Sequence, residues 1–272
     1  MVHRFGMSGS TILSNPDLFD QLFTDETSHI EMGEFPDEQA FYQFLKLLKQ
    51  SPRTFGLHSP LYRHDSKYDL LENVQHEPES AWQQFEKEVE RMASLNADYI
   101  LVHFPYFKAK REQVPLAEIE NGLKRLCELQ HTYQIPIVCE PKLGANRSPA
   151  GIDYLHQFPR HIWEKYGLYL CIDLGDYQLA AQDNMLAYIQ KWRGFIKVVH
   201  LHHVEWHNGN YYWVPLHPSG EGEGMQPLKN IIAYLGKLED VYFIFEHTPH
   251  TNPSDGFVKE GVRWVKDVIK GE

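Results

Sequence analysis

Six residues of types that bind divalent metals each close a short apolar run: His58, His103, Glu140, Asp173, His200 and Glu246. One buried histidine or glutamate in such a place is ordinarily structural, satisfied by a nearby backbone group. Six in succession resist that explanation, because a buried carboxylate without a partner costs several kcal/mol. Three carboxylates converging on one point need a cation among them. Mixed His/Asp/Glu ligation suits Zn²⁺, Mn²⁺ or Fe²⁺ better than the all-oxygen sites of Mg²⁺ or Ca²⁺.

Further candidates surround these. Asp176 follows Asp173 by three residues in Asp-Leu-Gly-Asp. Strand alternation puts His202 on the face of His200 and turns His203 away. His217 opens His-Pro-Ser-Gly-Glu-Gly-Glu-Gly, where Gly220 and Gly222 could let backbone N–H groups approach a phosphate or sugar oxygen, although a plain surface loop explains the segment equally well. Lys142 and Arg147 could hold a phosphate, but a solvated loop charge is the simpler reading of each. Of Glu31 and Glu34, one is expected to face the site and the other solvent or a helix. His131, His156 and His161 fall in helical segments and read as surface residues.

The elements that must position these groups are legible from periodicity. The runs Arg4–Ser8, His29–Glu34, Thr54–His58, Tyr99–His103, Ile135–Glu140, Leu168–Asp173, Ile196–His200 and Val241–Glu246 are short and rich in β-branched or aromatic residues, as buried parallel strands are. Between them lie amphipathic stretches with helical spacing: Asp37–Gln50, Pro78–Asn96, Pro115–Gln134, the Met185/Ile189/Trp192 segment, Pro227–Leu238 and Phe257–Ile269. Helices are also expected at Pro16–Phe23 and Gly151–Tyr166. Eight strands alternating with helices over this length predict a single (β/α)8 barrel spanning 1–272, whose active site lies at the C-terminal strand ends. An open doubly wound sheet would stop at fewer strands, and no Gly-x-Gly-x-x-Gly follows the first run.

Composition agrees with this reading. The 272 residues are 42% hydrophobic and 23% charged, with a net charge of −11 that disfavours a non-specific polyanion binder. No apolar stretch is long enough to span a membrane, and the N-terminus lacks the apolar region of a signal peptide. Cys127, Cys139 and Cys171 cannot all pair and read as reduced residues of a cytoplasmic protein.

In this order the motifs resemble the xylose isomerase-like TIM barrel superfamily, which includes sugar phosphate isomerases and epimerases and AP endonuclease family 2. The words that carry the resemblance are His-Ser-Pro-Leu-Tyr at His58, Val-His-Phe-Pro-Tyr at His103, Val-Cys-Glu-Pro at Glu140 and Cys-Ile-Asp-Leu-Gly-Asp at Asp173. They continue with Val-His-Leu-His-His at His200, His-Pro-Ser-Gly-Glu-Gly at His217 and Phe-Glu-His-Thr-Pro at Glu246. The resemblance implies that Glu140, Asp173, His200 and Glu246 hold one divalent metal. In the endonuclease branch, residues matching His58, His103 and Glu140 hold a second. A third metal in that branch takes a histidine where this chain has Asp176, an aspartate where it has Pro215, and the match of His217, so that site is altered. Epimerases typically carry a histidine at Asp176, an arginine at Trp206 and an acidic residue at His203, so substrate recognition must differ.

The leading expectation is a divalent-metal-dependent isomerase or epimerase acting on a sugar, sugar phosphate or related polyol. Glu140 and Glu246 would pass a proton α to the carbonyl through an enediolate, with one or two ions of zinc, manganese, iron or cobalt per chain. The alternative is a phosphodiester hydrolase of the AP endonuclease type. It is supported by the intact His58/His103/Glu140 set and opposed by the net charge, the altered third site and the lack of a basic, aromatic-bearing DNA loop. A barrel that only binds a ligand ranks last. The expected partner is a small carbohydrate rather than nucleic acid or membrane. The exposed aromatic segment Tyr211–Trp213 could serve an interface or a lid.

Overall fold

The computed structural model describes residues 2–220 and 225–271. Its strands are β1 (Arg4–Ser8), β2 (His29–Met32), β3 (Thr54–His58), β4 (Ile100–His103), β5 (Ile137–Glu140), β6 (Tyr169–Asp173), β7 (Ile196–Leu201), β8 (His203–His207), β9 (Asn210–Val214) and β10 (Tyr242–Phe245). Among the described residues, β1 to β7 and β10 pair in parallel and close a barrel in the order β1–β10–β7–β6–β5–β4–β3–β2. All eight expected runs are therefore barrel strands, within a few residues at their ends.

The helices are α1 (Glu38–Leu48), α2 (Pro78–Ser94), α3 (Leu116–Tyr133), α4 (Ala150–Gln157), α5 (Arg160–Glu164), α6 (Leu174–Ala181), α7 (Met185–Trp192), α8 (Met225–Leu235) and α9 (Asp255–Lys270). Local chemistry sets many of their ends. The Asp37 side chain accepts from the Ala40 N–H at the start of α1, and Ser254 accepts from Phe257 at the start of α9. Gly271 closes α9 at φ 79°, a conformation glycine adopts without strain. Two expected helices differ from the periodicity reading. Pro16–Leu22 is a 3-10 helix. The 151–166 stretch breaks into α4 and α5 because extended Phe158 and Pro159 separate them, and proline has no N–H to continue the ladder.

Alternation along the strands decides which side chains reach the barrel interior. Leu101, Val138, Cys171, Val198, Tyr242 and Ile244 form one buried cluster with Tyr99, while their strand neighbours join the larger core beneath the helices. His103, Glu140, Asp173, His200 and Glu246 each follow a member of that inner cluster by two residues. They consequently share its inward face, one pleat nearer the C-terminal mouth.

The β8–β9 hairpin was not expected from periodicity. It turns at Asn208 and Gly209, both with positive φ (52° and 82°), the backbone a two-residue hairpin turn requires. Gly175 leaves the space in which the His202 and Trp213 rings meet at 4.4 Å, seating the hairpin on α6. Among the described residues, no helix is long and apolar enough to cross a membrane.

Candidate metal centre

Strand register sets the candidate ligands side by side. His103 is the partner of Glu140 across β4 and β5, and Asp173 is the partner of His200 across β6 and β7. Glu246 follows Phe245, the β10 partner of Leu201. Glu140, His200 and His103 are all but sealed from solvent, whereas the His58 and Glu246 side chains are 17% and 11% exposed. Only the last two of these open directly toward water.

His200 is gripped from three sides. Its Nδ1 lies 2.8 Å from Oε2 of Glu246 and 3.2 Å from Oε1 of Glu140, and its Nε2 lies 2.8 Å from Oε1 of Glu31. Beside it, Nε2 of His58 and Nε2 of His103 stand 3.0 Å apart, with Oε2 of Glu140 at 3.3 Å and 3.1 Å from them. Burial drives the His103 imidazole down to about 3, so its ring stays neutral with a lone pair to offer. Burial opposes ionisation of Glu140, but Lys142 and His200 beside it hold the carboxyl well below its usual range.

Lys142 is not the solvated loop charge that the sequence suggested. Its Nζ lies 3.2 Å from Glu140 Oε1, 2.8 Å from Asp173 Oδ2 and 2.7 Å from Asp176 Oδ2, with only 15% of the side chain exposed. Asp173 has two roles at once. Its Oδ1 accepts from the Asp176 N–H at 2.9 Å, capping α6, and stands 2.9 Å from His202 Nε2. Burial would raise the Asp173 carboxyl, yet Lys142 and His202 hold it low. Asp176 goes the other way: burial, then the neighbouring Asp173, lift it to about 7.

The donor set fits a divalent cation. Ligand atoms of Glu140, Asp173, His200 and Glu246 all lie within 4.8 Å of one another, and so do those of His58, His103 and Glu140. Two histidine Nε2 atoms facing each other across 3.0 Å beside a carboxylate, and three carboxylates around one imidazole, are arrangements that a shared cation would satisfy. Both sets use Glu140.

A cavity of about 680 Å³ opens above these groups. His58, His103, Asp173, Asp176, Lys142 and Glu246 line its floor; Tyr68 and Tyr106 form one wall, and Tyr211 and Trp213 of β9 the other. Arg147 is at the rim, its guanidinium 4.9 Å over the Trp206 ring and 5.8 Å over that of Tyr211. A second cavity of about 360 Å³ shares Ser10, His58, Lys67 and Glu246 with the first.

Two candidates among the described residues are not brought to the cluster. His217 lies away from it, its Nδ1 2.6 Å from Ser219 Oγ and its ring stacked on Phe257. Gly220 ends the short 3-10 helix Pro218–Gly220, and Gly222 lies outside the described residues. His203 begins β8, is half-buried, and is not among the groups that converge on the centre. Glu31 is the acidic residue of β2 that faces inward, while Glu34 pairs with Lys67. Tyr68 and Tyr106 carry no periodic signal that would single them out. The β9 wall could have been found from Asn-Gly at 208–209 between alternating apolar residues.

The family model described as a xylose isomerase-like TIM barrel matches residues 20–268 of this chain. No curated protein matches the sequence. Among solved structures, D-psicose 3-epimerase superposes with a TM-score of 0.68 at 13% identity, covering 98% of this chain and 99% of its own. L-ribulose 3-epimerase gives 0.68 at 12% identity, covering 99% and 95%. Endonuclease IV from Thermus thermophilus gives 0.63 at 13%, covering 99% and 100%. At such identities these likenesses establish the fold, and the matched 20–268 span establishes the membership: the chain belongs to the xylose isomerase-like TIM barrel family.

Proposed function

We propose that the protein is a divalent-metal-dependent isomerase or epimerase acting on a sugar, sugar phosphate or related polyol by proton transfer through an enediolate. The observation that carries this reading is the pair of carboxylates, Glu140 and Glu246, meeting at His200 Nδ1 beneath a cavity of about 680 Å³. That is the size of a small-molecule site. Glu140, Asp173, His200 and Glu246 would hold the cation, which when bound polarises the substrate carbonyl and stabilises the charge that develops on it.

The remaining chemistry belongs to the chain itself. Glu246 lines the cavity and is placed to take the proton α to the carbonyl. Glu140 is sealed below Lys142, whose ammonium lines the same cavity and offers hydrogen bonds to a substrate oxygen. The tyrosine walls supply rings against which a sugar's C–H face can pack. Arg147 stands at the rim ready for a phosphate or carboxylate substituent, since among the described residues its guanidinium meets rings rather than an acid. Solved relatives named as 3-epimerases of psicose and ribulose support the same class.

The test is a panel of aldoses and ketoses, with and without phosphate, supplied with Mn²⁺ or Co²⁺ in D₂O. The expected result is deuterium incorporation at the α carbon of one of them. Metal-loaded protein that neither exchanges nor turns over any member sinks the reading. The converging His58, His103 and Glu140 favour one alternative, two-metal phosphodiester hydrolysis, which nicking of abasic plasmid DNA would reveal.

A further inference from the structure

Below the candidate centre, a single file of polar side chains runs through the otherwise apolar barrel. Oε1 of Glu31 is 2.8 Å from His200 Nε2, and Oε2 of the same carboxylate accepts from the Tyr99 hydroxyl at 2.7 Å. The Tyr99 oxygen is in turn 3.3 Å from His29 Nε2, and His29 Nδ1 is 2.8 Å from Thr54 Oγ1. Glu31, Tyr99, His29 and His200 are all fully buried. The Tyr99 ring helps fill the barrel, but its hydroxyl and the Glu31 carboxylate are not needed for that, since Leu101, Val138 and Val198 fill neighbouring positions without polar atoms.

The direction of each bond follows from one fact: an ionised Glu31 can only accept. His200 must then offer Nε2–H to Oε1, so that Nδ1, 2.8 Å from Glu246 and 3.2 Å from Glu140, is the ring nitrogen left for a cation. Tyr99 must offer its O–H to Oε2, and its oxygen is free to accept from His29 Nε2–H. Burial beside Glu31 keeps the Tyr99 phenol protonated well beyond its usual range, consistent with a permanent donor. Glu31 also lies close to His58 and Glu246, with which it forms a further set of possible ligands, and its two oxygens receive His200 and Tyr99. The ring of Tyr99 is given its place by Gly56, where a Cβ would come within 2.5 Å of it.

We propose that Tyr99 is a positioning residue for the metal centre: by holding Glu31, it fixes His200 in the tautomer and orientation that present Nδ1 to the cation. The proposal rests on the metal-dependent reading given above. Partners of this kind, one shell outside the ligands, typically change metal affinity by about 10–100-fold. Glu31 is the partner one shell out and Tyr99 lies one hydrogen bond beyond it, so the lower end is expected.

The test uses the full chain and Co²⁺ as the probe. Calorimetric titration and the cobalt d–d spectrum are compared for wild type, Tyr99→Phe and a packing control, Phe44→Leu, which loosens the outer core far from the centre. Tyr99→Phe keeps the ring and removes only the hydroxyl. The expected result is binding about tenfold weaker with a shifted cobalt spectrum in Tyr99→Phe, and wild-type values for the control. Should Tyr99→Phe fail to fold, Glu31→Gln leaves one acceptor oxygen for the two donors His200 and Tyr99 and carries the same expectation. Binding within twofold of wild type overturns the proposal, as does an equal loss in the control. If wild-type protein binds no Co²⁺, the metal reading itself falls and takes the proposal with it; normal wild-type binding that Tyr99→Phe leaves intact sinks the proposal alone.

Discussion

The ammonium of Lys142 stands 2.7 Å from Oδ2 of Asp176 while also touching Asp173 and Glu140, so one buried cation serves three carboxylates. Removing one partner of a buried ion pair costs about 3–5 kcal/mol, because the other charges are left uncompensated. Lys142→Met is therefore expected to lower the stability of metal-free protein by about that amount. A divalent ion at the adjoining ligands would replace the missing charge, and added Mn²⁺ should recover most of the loss. Urea unfolding with and without metal reads both effects. A variant as stable as wild type without metal would show that Lys142 is not the balancing charge.

Glu140→Gln and Glu246→Gln preserve shape while removing a negative donor from the set around His200. Each is expected to abolish turnover with the circular dichroism spectrum unchanged. They should differ in metal content. Glu140 belongs to both ligand sets and its loss should empty both, whereas Glu246 belongs with Asp173 and His200 and its loss should spare His58 and His103. Elemental analysis of the purified variants separates the two cases, and full turnover in either contradicts the assignment.

How far the site was readable depends on which physical rule placed each residue. The five inward ligands on β4, β5, β6, β7 and just past β10 obey the two-residue strand period, so their convergence was implied by the runs they close. Glu31 obeys it too, two residues after inward His29. Lys142 escaped, because its position depends on the chain direction after Glu140–Pro141 rather than on any period, and a loop lysine is ordinarily solvated. His217 failed for the matching reason: an apolar partner, Phe257, and Ser219 claim its ring locally. Tyr68 and Tyr106 come from long loops whose placement is set by tertiary packing, whereas the β9 hairpin carried a local signal in Asn208-Gly209 but none for where it packs.

A buried carboxyl outside the centre gives a pH signature. Glu88 of α2 is fully buried, accepting from Ser59 Oγ at 2.6 Å and from the Leu61 N–H at 3.0 Å, and burial raises it from 4.5 to about 7. In the pH range between those values the folded protein keeps the proton and the unfolded chain has lost it. Stability is then greatest below the lower value and declines as pH rises toward 7, by on the order of 3 kcal/mol at most. Glu88→Gln cannot ionise and should show a flatter profile across that window. Urea midpoints at half-unit pH steps check the difference; parallel profiles would mean the Glu88 carboxyl ionises alike in both states.

Gly33, at the end of β2, tests whether the two ligand sets are separable. A Cβ there would lie 1.9 Å from the His58 carbonyl oxygen and 3.2 Å from that of Pro60, both backbone atoms that cannot swing aside. Gly33→Ala must therefore push the end of β3 outward, at a typical overpacking cost of about 1–3 kcal/mol. His58 moves with that backbone; Asp173 and His200, across the barrel on β6 and β7, do not. The expected outcome is a modest drop in melting temperature together with loss of the ion held by His58, His103 and Glu140, while the ion at Glu140, Asp173, His200 and Glu246 remains. Titration with Co²⁺ should lose the share of binding owed to His58 and keep the share owed to Asp173, His200 and Glu246. If both sites vanish together, the two sets act as one cooperative cluster; if neither changes, the strand end yields without moving the His58 ring.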